Sequence, residues 1–141
     1  MSDDPLRDLI ASHKLLTLAT IRRDGRPQLS VVAYTYDRDE DVLRVSITED
    51  RAKTANLRRD PRATLLVHGD NQWAYAVAEA DATLLPVCER PDDASTDDLV
   101  DIFQHVQGEH PDWDEFRQAM VDDRRLPLHL RPTHLYGTAS A

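Results

Sequence analysis

The sequence has little of what the common catalytic and cofactor motifs require. It contains one cysteine and four glycines among 141 residues. The lone Cys88 excludes a disulfide framework and a cysteine-based metal cluster, and it is typical of a small buried residue in a reducing compartment. So few glycines leave neither a Walker A loop nor a dinucleotide-binding fingerprint. The six histidines never fall at metal-ligand spacing, so no metal site is predicted. No serine lies in a Gly-x-Ser-x-Gly elbow, and a hydrolase triad therefore has no anchor.

Excess positive charge and long apolar runs are also missing. The net charge is −9, from 17 Lys and Arg against 26 Asp and Glu. This balance argues against nonspecific binding to nucleic acid or to an anionic membrane surface. No signal-peptide segment or run of membrane-spanning length is present. We therefore expect a single domain over residues 1–141, in the cytoplasm, with neither nucleic acid nor membrane as a partner.

Strand patterns dominate the first half of the chain. An Asp24-Gly25 turn separates a near-continuous apolar run from an alternating one, which predicts a hairpin. The alternating segment has one face of mixed hydroxyl, amide and aromatic groups, and this face suits a pocket wall and a solvent surface equally. The strands predicted in this half are Leu15–Ile21, Gln28–Tyr36, Val42–Ile47 and Ala63–Val67.

The longest strand is predicted over Gln72–Leu85, where large residues alternate strictly with a row of alanines. Alanine also favours helix, but no large residues fall at helical spacing. The small alanine side chains would allow another backbone or a second subunit to approach closely. A last strand, Leu126–Leu130, is expected at a sheet edge because Pro127 and Pro132 cannot donate to a ladder, and residues 134–137 are expected to extend it. Helices are predicted over Leu6–His13, from Thr96 to Gly108 and from about Asp112 to Val121.

The stretch Thr48–Arg62 opposes the charge of the whole chain, because from residue 51 onward it holds five basic residues and a single acid, Asp60. We expect a short helix capped by Thr48 and stopped by Pro61. With Arg51, Lys53 and the Thr54 hydroxyl in its first turn, the helix N-terminus would form a receptor for phosphate. A solvated basic helix is the alternative on charge alone. For Glu109 and His110, a surface pair is favoured over an acid–base pair.

Four segments together resemble a known family. They read LLTLATIRRDGRPQLSVVAYTYD, VSITEDRAKTANLRRDPRATLLV, WAYAVAEADATL and GEHPDWDEFRQAMVDDRRLPLHLRPTHLYG. The combination is similar to the pyridoxamine-5′-phosphate-oxidase-like split β-barrel family, and in particular to its deazaflavin (F-420)-dependent branch, which includes F-420-dependent biliverdin reductases. The likeness runs from about Leu15 to Gly137. Its most specific part is RAKTxNLRRDPR, and the chain departs from the branch mainly at Val31–Ala33 and Pro86–Ser95.

The resemblance implies a mainly β fold with flanking helices. Members are homodimers of six-stranded split β-barrels, with the cofactor in a groove at the dimer interface. By this likeness Arg51, Lys53 and Thr54 hold the cofactor phosphate, and Asn56 lies nearby. The residues expected to line the isoalloxazine-like ring are Gln28, Ser30, Val31, Ser46 and Ile47. Trp73 and Tyr75 would close the pocket from across the interface, and Tyr75 is a weak candidate for the catalytic proton donor, with solvent as the alternative.

The implied function is an F-420H2-dependent reductase that transfers hydride to a conjugated small molecule, with biliverdin as the best single guess. Such a reaction needs no catalytic triad, because the cofactor carries the hydride and the protein binds, orients and excludes water. Two alternatives stay open. One is an enzyme of the pyridoxamine phosphate oxidase type that uses flavin mononucleotide (FMN). The other is a non-catalytic protein that binds flavin, deazaflavin or haem.

Overall fold

A computed structural model describes residues 3–140 of the chain. Within them, seven strands form one antiparallel sheet and four helices flank it. No helix in this range is long and apolar enough to cross a membrane. The helices are α1 (Asp4–Ala11), α2 (Ala52–Arg59), α3 (Ala94–Gln107) and α4 (Trp113–Asp122), and the strands are β1 (Leu15–Ile21), β2 (Pro27–Ala33), β3 (Thr35–Asp37), β4 (Val42–Thr48), β5 (Arg62–His68), β6 (Tyr75–Leu84) and β7 (Arg125–Thr138).

The sheet is curled, because its two outermost strands are consecutive in the chain. The strand order is β2-β1-β5-β6-β7-β4-β3, and only Tyr34 separates β2 from β3. The strand predicted as Gln28–Tyr36 is therefore two strands, and the described residues hold seven strands where six were expected. Tyr34 causes the division: its N–H donates to the Lys14 carbonyl, and its buried hydroxyl donates to the Ile10 carbonyl at 2.6 Å. The N–H bond extends the register of β1 with β2 by one residue, and the hydroxyl bond fixes Tyr34 to α1 where the chain passes from β2 to β3.

The prediction that the last strand lies at an edge is wrong. β7 pairs with β6 on one side and with β4 on the other, and the pieces predicted around residues 126–130 and 134–137 are one strand. Its prolines are tolerated because each lies where the pairing with β6 is already interrupted. Pro127 is beside Leu85, just past the end of β6, and its carbonyl accepts from the Leu85 N–H at 3.0 Å. Pro132 is beside a register shift between Glu79 and Ala80.

The alanine row of β6 lies in the core of the sheet and is not open to a second subunit. Ala76, Ala78 and Ala80 are buried. Their small side chains leave room for α1, whose Leu9 and Ile10 belong to the same apolar cluster. The rest of this core comes from the inward face of the strands, in agreement with their alternating sequences. β6 itself begins at Tyr75 instead of Gln72, because residues 70–73 form the turn before it.

A second apolar cluster lies between α3 and α4 and includes Leu99, Ile102, Phe116 and Met120. Both helices were predicted, but α3 begins earlier than Thr96. Its N-cap is Asp93, whose carboxylate accepts from the Thr96 N–H at 2.9 Å.

Replacing Gly137 with alanine is expected to destabilise the protein by about 1–3 kcal/mol, because the backbone there has φ of +141° and an added Cβ would collide with the Tyr75 carbonyl on β6. Urea unfolding measures the effect. Gly25→Ala is the matched control, since Gly25 has φ of +85° with open space around its Cβ position. If Gly137→Ala lowers the free energy of unfolding no more than Gly25→Ala does, the close approach of β6 to β7 does not exclude a Cβ at residue 137.

Candidate functional site

An apolar cavity of about 320 Å³ lies where α3 and α4 cover the outer face of the sheet. Ala33 and Ser46 form its strand side, and the helices supply apolar and aromatic side chains. Ser46 faces outward because its neighbours in β4, Val45 and Ile47, face the core. The helix residues in the wall are Leu99, Ile102, Phe103, Val106, Phe116 and Met120, together with one polar residue, Gln107. A cavity of this size and character suits a flat ring.

A second, polar cavity adjoins the first. It is lined by residues 48–51, which connect β4 to α2, and by residues 122–125, which connect α4 to β7. Asp123 and Arg125 line both cavities. The two segments meet because β4 and β7 are paired with Thr48 opposite Arg125, and because the Glu49 N–H donates to the Arg124 carbonyl at 3.0 Å. A ligand with a ring and an anionic group would occupy both spaces.

Arg125 stands at the junction of the two cavities. One of its guanidinium nitrogens donates to the Ser46 hydroxyl at 3.1 Å, and within residues 3–140 it makes no ion pair. Sequence reasoning missed this residue, because the last strand was predicted to begin only at Leu126. The available signal was the basic pair at residues 124 and 125, just before that strand. Its closeness to Thr48 follows from a strand pairing that a local pattern does not reveal.

Two cations of the basic stretch lie close to Arg125. Arg51 is the N-cap of α2, and its Nε donates to the Thr48 hydroxyl at 3.1 Å. Lys53 is partly buried and makes no hydrogen bond or ion pair with any other described residue. Its pKa is lowered, first by burial and then by the positive charges of Arg51 and Arg125. Three cations without a carboxylate partner within the described range therefore repel one another, and a bound anion would relieve that repulsion.

The other arginines of the stretch already have partners in the protein. Arg58 pairs with Glu49, and Arg59 donates to the Ile21 carbonyl. Arg62 pairs with Asp60, with 2.8 Å between the charged atoms. The stretch is thus divided. Arg51, which lines the polar cavity, and Lys53, which lies near it, have no carboxylate partner among the described residues, whereas the other arginines stabilise the local structure.

Thr48 does not cap α2, contrary to the prediction, because it is the last residue of β4 and the helix begins only at Ala52. Its carbonyl accepts from the Thr54 hydroxyl at 2.6 Å, and Thr54 is fully buried. The hydroxyl proton of Thr54 is therefore used inside the protein. In this conformation Thr54 holds the first turn of α2 against the end of β4 and so places Arg51 and Lys53.

Asn56 and Gln28, both predicted to bind the cofactor, are joined through Thr20. The Asn56 amide donates to the Thr20 hydroxyl at 3.1 Å, and that hydroxyl donates to the Gln28 side-chain oxygen at 2.9 Å. This chain of hydrogen bonds connects α2 to β1 and β2. It lies apart from the lining of the two cavities.

The pleat of the strands separates the residues predicted to line the ring. Ser46 lies in the apolar cavity, whereas Ile47 is buried in the core. Val31 lies on the outer face of β2 and is 68% exposed, on the same side as the cavity residue Ala33. Ser30 points the opposite way, and its buried hydroxyl has no hydrogen-bond partner among the described residues. Of this set, the structure brings Ser46, and through Ala33 the neighbourhood of Val31, to the candidate site.

Trp73 and Tyr75 lie far from both cavities within one chain. Trp73 is exposed in the turn before β6. Tyr75 is paired with Thr138, at the opposite end of the 14-residue strand β7 from Arg125. Neither residue lines either cavity.

The outer face of the sheet beside the site carries an apolar surface, which we call the outer stripe: Leu15, Leu29, Val31, Leu66 and Tyr136. Strand pairing aligns Val31 with Thr17, Thr17 with Leu66, Leu66 with Val77 and Val77 with Tyr136. Leu15 and Leu29 are each 62% exposed and Tyr136 is 46% exposed. A contiguous apolar surface of this kind is typical of an interaction site.

The described residues offer no group of side chains that could bind a metal ion. Among residues 3–140, no three His, Cys, Asp or Glu side chains come together in a group that could hold a metal ion. The acids of the polar cavity, such as Asp122 and Asp123, therefore do not converge on one point.

Comparison with known proteins places this geometry in a family. The profile described as pyridoxamine 5′-phosphate oxidase matches residues 2–139. Among solved structures, an F420 reductase is 23% identical, with 92% of this chain and 94% of that chain covered and a TM-score of 0.68. A conserved hypothetical protein from Mycobacterium tuberculosis is 22% identical, covers 96% and 82%, and has a TM-score of 0.72. The haem storage protein HutZ from Vibrio cholerae is 17% identical, covers 96% and 93%, and has a TM-score of 0.68. Because these identities are below 25%, the comparison shows that the three structures and this chain share a fold.

Proposed function

Because the chain belongs to the pyridoxamine 5′-phosphate oxidase family, we propose that it is an oxidoreductase that binds a phosphate-bearing flavin or deazaflavin in the paired cavities. One observation carries this proposal: Arg51, Lys53 and Arg125 lie together without a carboxylate partner, beside an apolar cavity with room for a ring. Glu49, Asp50, Asp122 and Asp123 also line the polar cavity, but none of them pairs with these three cations. The cations are therefore free to donate to a phosphate, and the ring would fill the apolar space. The residues present therefore fit such a group.

Each residue of the site has a distinct task in this proposal. Arg51 and Lys53 hold the phosphate, and Arg125 donates to it from the opposite segment. The Ser46 hydroxyl and the apolar walls orient the ring and exclude water. When bound, the reduced cofactor supplies the hydride, so the protein needs no nucleophile of its own.

We propose coenzyme F-420 as the cofactor and a conjugated small molecule as the hydride acceptor, with biliverdin as the best single candidate. The support is the likeness of RAKTxNLRRDPR to the deazaflavin-dependent branch, together with the similarity in fold to a protein named as an F420 reductase. Biliverdin carries two propionates, which a basic group at the cavity mouth can bind. Arg124 lines the polar cavity and makes no ion pair within residues 3–140, so it is available for this role.

Titration with F-420, FMN and haem, each followed by fluorescence or absorbance, tests the cofactor. The proposal expects tight, saturable binding of F-420 and a colourless protein on purification. A yellow protein that retains FMN would favour the FMN-dependent alternative. Anaerobic mixing of F-420H2 and biliverdin then tests turnover, because a non-catalytic carrier binds the cofactor and leaves its absorbance unchanged. Absence of binding to both F-420 and FMN would contradict the proposal, and binding of haem alone would favour the non-catalytic haem-binding alternative.

We also propose that two copies associate through the outer stripe. A lone chain would leave Leu15, Leu29 and Val31 in water, and burial of such side chains favours association by about 25 cal/mol per Å². Association would also give Trp73 and Tyr75 access to the partner's site. In that arrangement Tyr75 is a candidate proton donor to the reduced substrate, and solvent is the alternative.

Leu29→Lys is expected to convert the dimer into a monomer, because it places a charge in the middle of the apolar interface. Sedimentation velocity measures the change in mass. Gln118→Lys, on the exposed face of α4, is the matched control and should leave the dimer intact. A wild-type protein that is monomeric at all concentrations, or a Leu29→Lys variant that stays dimeric, would contradict the proposed interface.

A further inference from the structure

A cluster of charged side chains fastens α3 to the sheet beside the apolar cavity. Arg44 on β4 donates to Asp98 and to Asp101 on α3, each at 2.7 Å. His129 on β7 lies opposite Arg44 in the strand pairing, and its Nε2 is 2.7 Å from the second carboxylate oxygen of Asp98. We call Arg44, Asp98 and His129 the clamp.

Burial distinguishes the clamp from the surface ion pairs of this protein. The side chains of Arg44, Asp98 and His129 are 14%, 18% and 22% exposed. Burial acts to raise the pKa of Asp98, but the hydrogen bonds from His129 and Arg44 outweigh it, and the pKa is lower than usual. The carboxylate is thus ionised and can only accept, so the Nε2 of His129 carries the proton of that hydrogen bond.

The clamp connects the two walls of the cavity. On α3, Asp98 directly precedes Leu99, the first of the helix residues that line the cavity. On the sheet side, Arg44 shares the outer face of β4 with Ser46, and His129 shares the outer face of β7 with Arg125. Each clamp residue therefore sits in the same element as a residue of the proposed site.

Among residues 3–140, the other polar contacts of α3 with the rest of the protein lie near its ends. Near the first turn, the Ser95 hydroxyl donates to the Pro86 carbonyl at 2.6 Å. At the last turn, Lys14 donates to the Val106 carbonyl at 3.0 Å. Asp97, next to the clamp, points the other way and pairs with Arg117 of α4 at 2.8 Å. The spacing between α3 and the sheet thus depends on the clamp.

We propose that Arg44, Asp98 and His129 are positioning residues that set the width of the apolar cavity and thereby its affinity for the ring of the cofactor. This inference rests on the proposed function, because it takes the cavity to be the ring site. The clamp touches no ligand itself. Losing it lets α3 move away from Ser46 and Arg125, which weakens ring binding while the phosphate contacts of Arg51 and Lys53 are retained.

His129→Leu removes one of the two donors to Asp98 and tests the clamp. We expect the dissociation constants of F-420 and FMN to rise about 10–100-fold. A displacement of binding groups by about 1 Å has effects of up to about 100-fold. The dissociation constant of inorganic phosphate, which uses only the polar cavity, should stay within about twofold. His129→Gln keeps an N–H donor and should restore most of the affinity for the ring.

Asp97→Asn is the matched control, because it breaks an ion pair of the adjacent residue that does not reach the sheet. It should leave the affinity for both cofactors unchanged. Hydrogen exchange of residues 94–107, measured without cofactor, should rise in His129→Leu and much less in Asp97→Asn. Equal loss of phosphate and ring affinity, no rescue by His129→Gln, or the same result from the control would overturn the inference.

The aromatic sulfonate 8-anilinonaphthalene-1-sulfonate separates a failure of this inference from a failure of the proposed function. The probe joins an apolar ring system to an anion, so it suits the cavity and Arg125 without being a redox cofactor. Weaker binding of the probe by His129→Leu, with rescue by His129→Gln, supports the clamp even if the wild type binds neither F-420 nor FMN. Unchanged probe binding and unchanged hydrogen exchange would refute the clamp even if F-420 binds tightly.

Discussion

Replacing Arg51 and Lys53 together with alanine is expected to weaken cofactor binding by at least about 100-fold. Each charge-assisted hydrogen bond to a phosphate is worth about 1.5–3 kcal/mol, so that even one of them accounts for roughly a tenfold change. The two contributions are not fully additive, because the side chains repel each other when no anion is bound. Fluorescence titration with F-420 measures the loss. The unfolding free energy of the variant should be equal to or higher than that of the wild type, since the repulsion has been removed.

Arg62→Ala is the matched control for this pair. Arg62 belongs to the same basic stretch, but it is already paired with Asp60 and is exposed. Its loss should therefore leave the affinity for F-420 within about twofold, because surface ion pairs contribute about 0–1 kcal/mol. Equal effects from Arg62→Ala and from the double variant would mean that the net charge of the stretch, and not the unpaired cations, binds the cofactor.

Leu128→Ala is expected to lower the free energy of unfolding by about 2–5 kcal/mol, a large part of the 5–15 kcal/mol of a typical domain. Leu128 is completely buried in the strand that joins the two sides of the sheet. It lies opposite Val45 on β4 and opposite Leu84 on β6. A cavity at this point removes contacts from both neighbouring strands together. Urea unfolding, followed by circular dichroism, measures the effect.

Leu128→Met is the control, because this swap nearly preserves volume and should cost less than about 1.5 kcal/mol. A loss of stability in Leu128→Ala no larger than that in Leu128→Met would show that the site collapses around the missing atoms. Such a result would contradict the central position given to β7.

The strands that the sequence predicted correctly are those whose signal is local. The alternation of β4 and of β5 is visible in their own residues, and so is the Asp24-Gly25 turn. The place of β7 was not predictable in this way. Proline correctly indicates a missing donor, but only the pairing with β6 reveals that Pro127 lies just past the end of β6 and Pro132 lies beside its register shift.

In the candidate site, too, the residues that were predicted are those with a local sequence signal. Arg51 and Lys53 stand together in the sequence against the charge of the chain, and their proximity in the structure follows from one short helix. Arg125 joins them through the pairing of β4 with β7, which brings distant parts of the chain together. The residues predicted to line the ring follow from the resemblance to the family, and they include adjacent residues of one strand, which face opposite sides of the sheet. This is why Ser46 and Ile47 separate.

The division of one predicted strand at Tyr34 protects the protein against strand exchange and edge-to-edge pairing with other chains. Strands at the two margins of an open sheet normally offer free backbone groups to other chains. Here both margins, β2 and β3, are tied to the same buried residue, whose hydrogen bonds reach Ile10 and Lys14. Neither edge strand can detach from the sheet alone, so exchange of a strand with another molecule would require both edge strands to detach together. We therefore expect the amide protons of both margins to exchange with solvent as one cooperative unit.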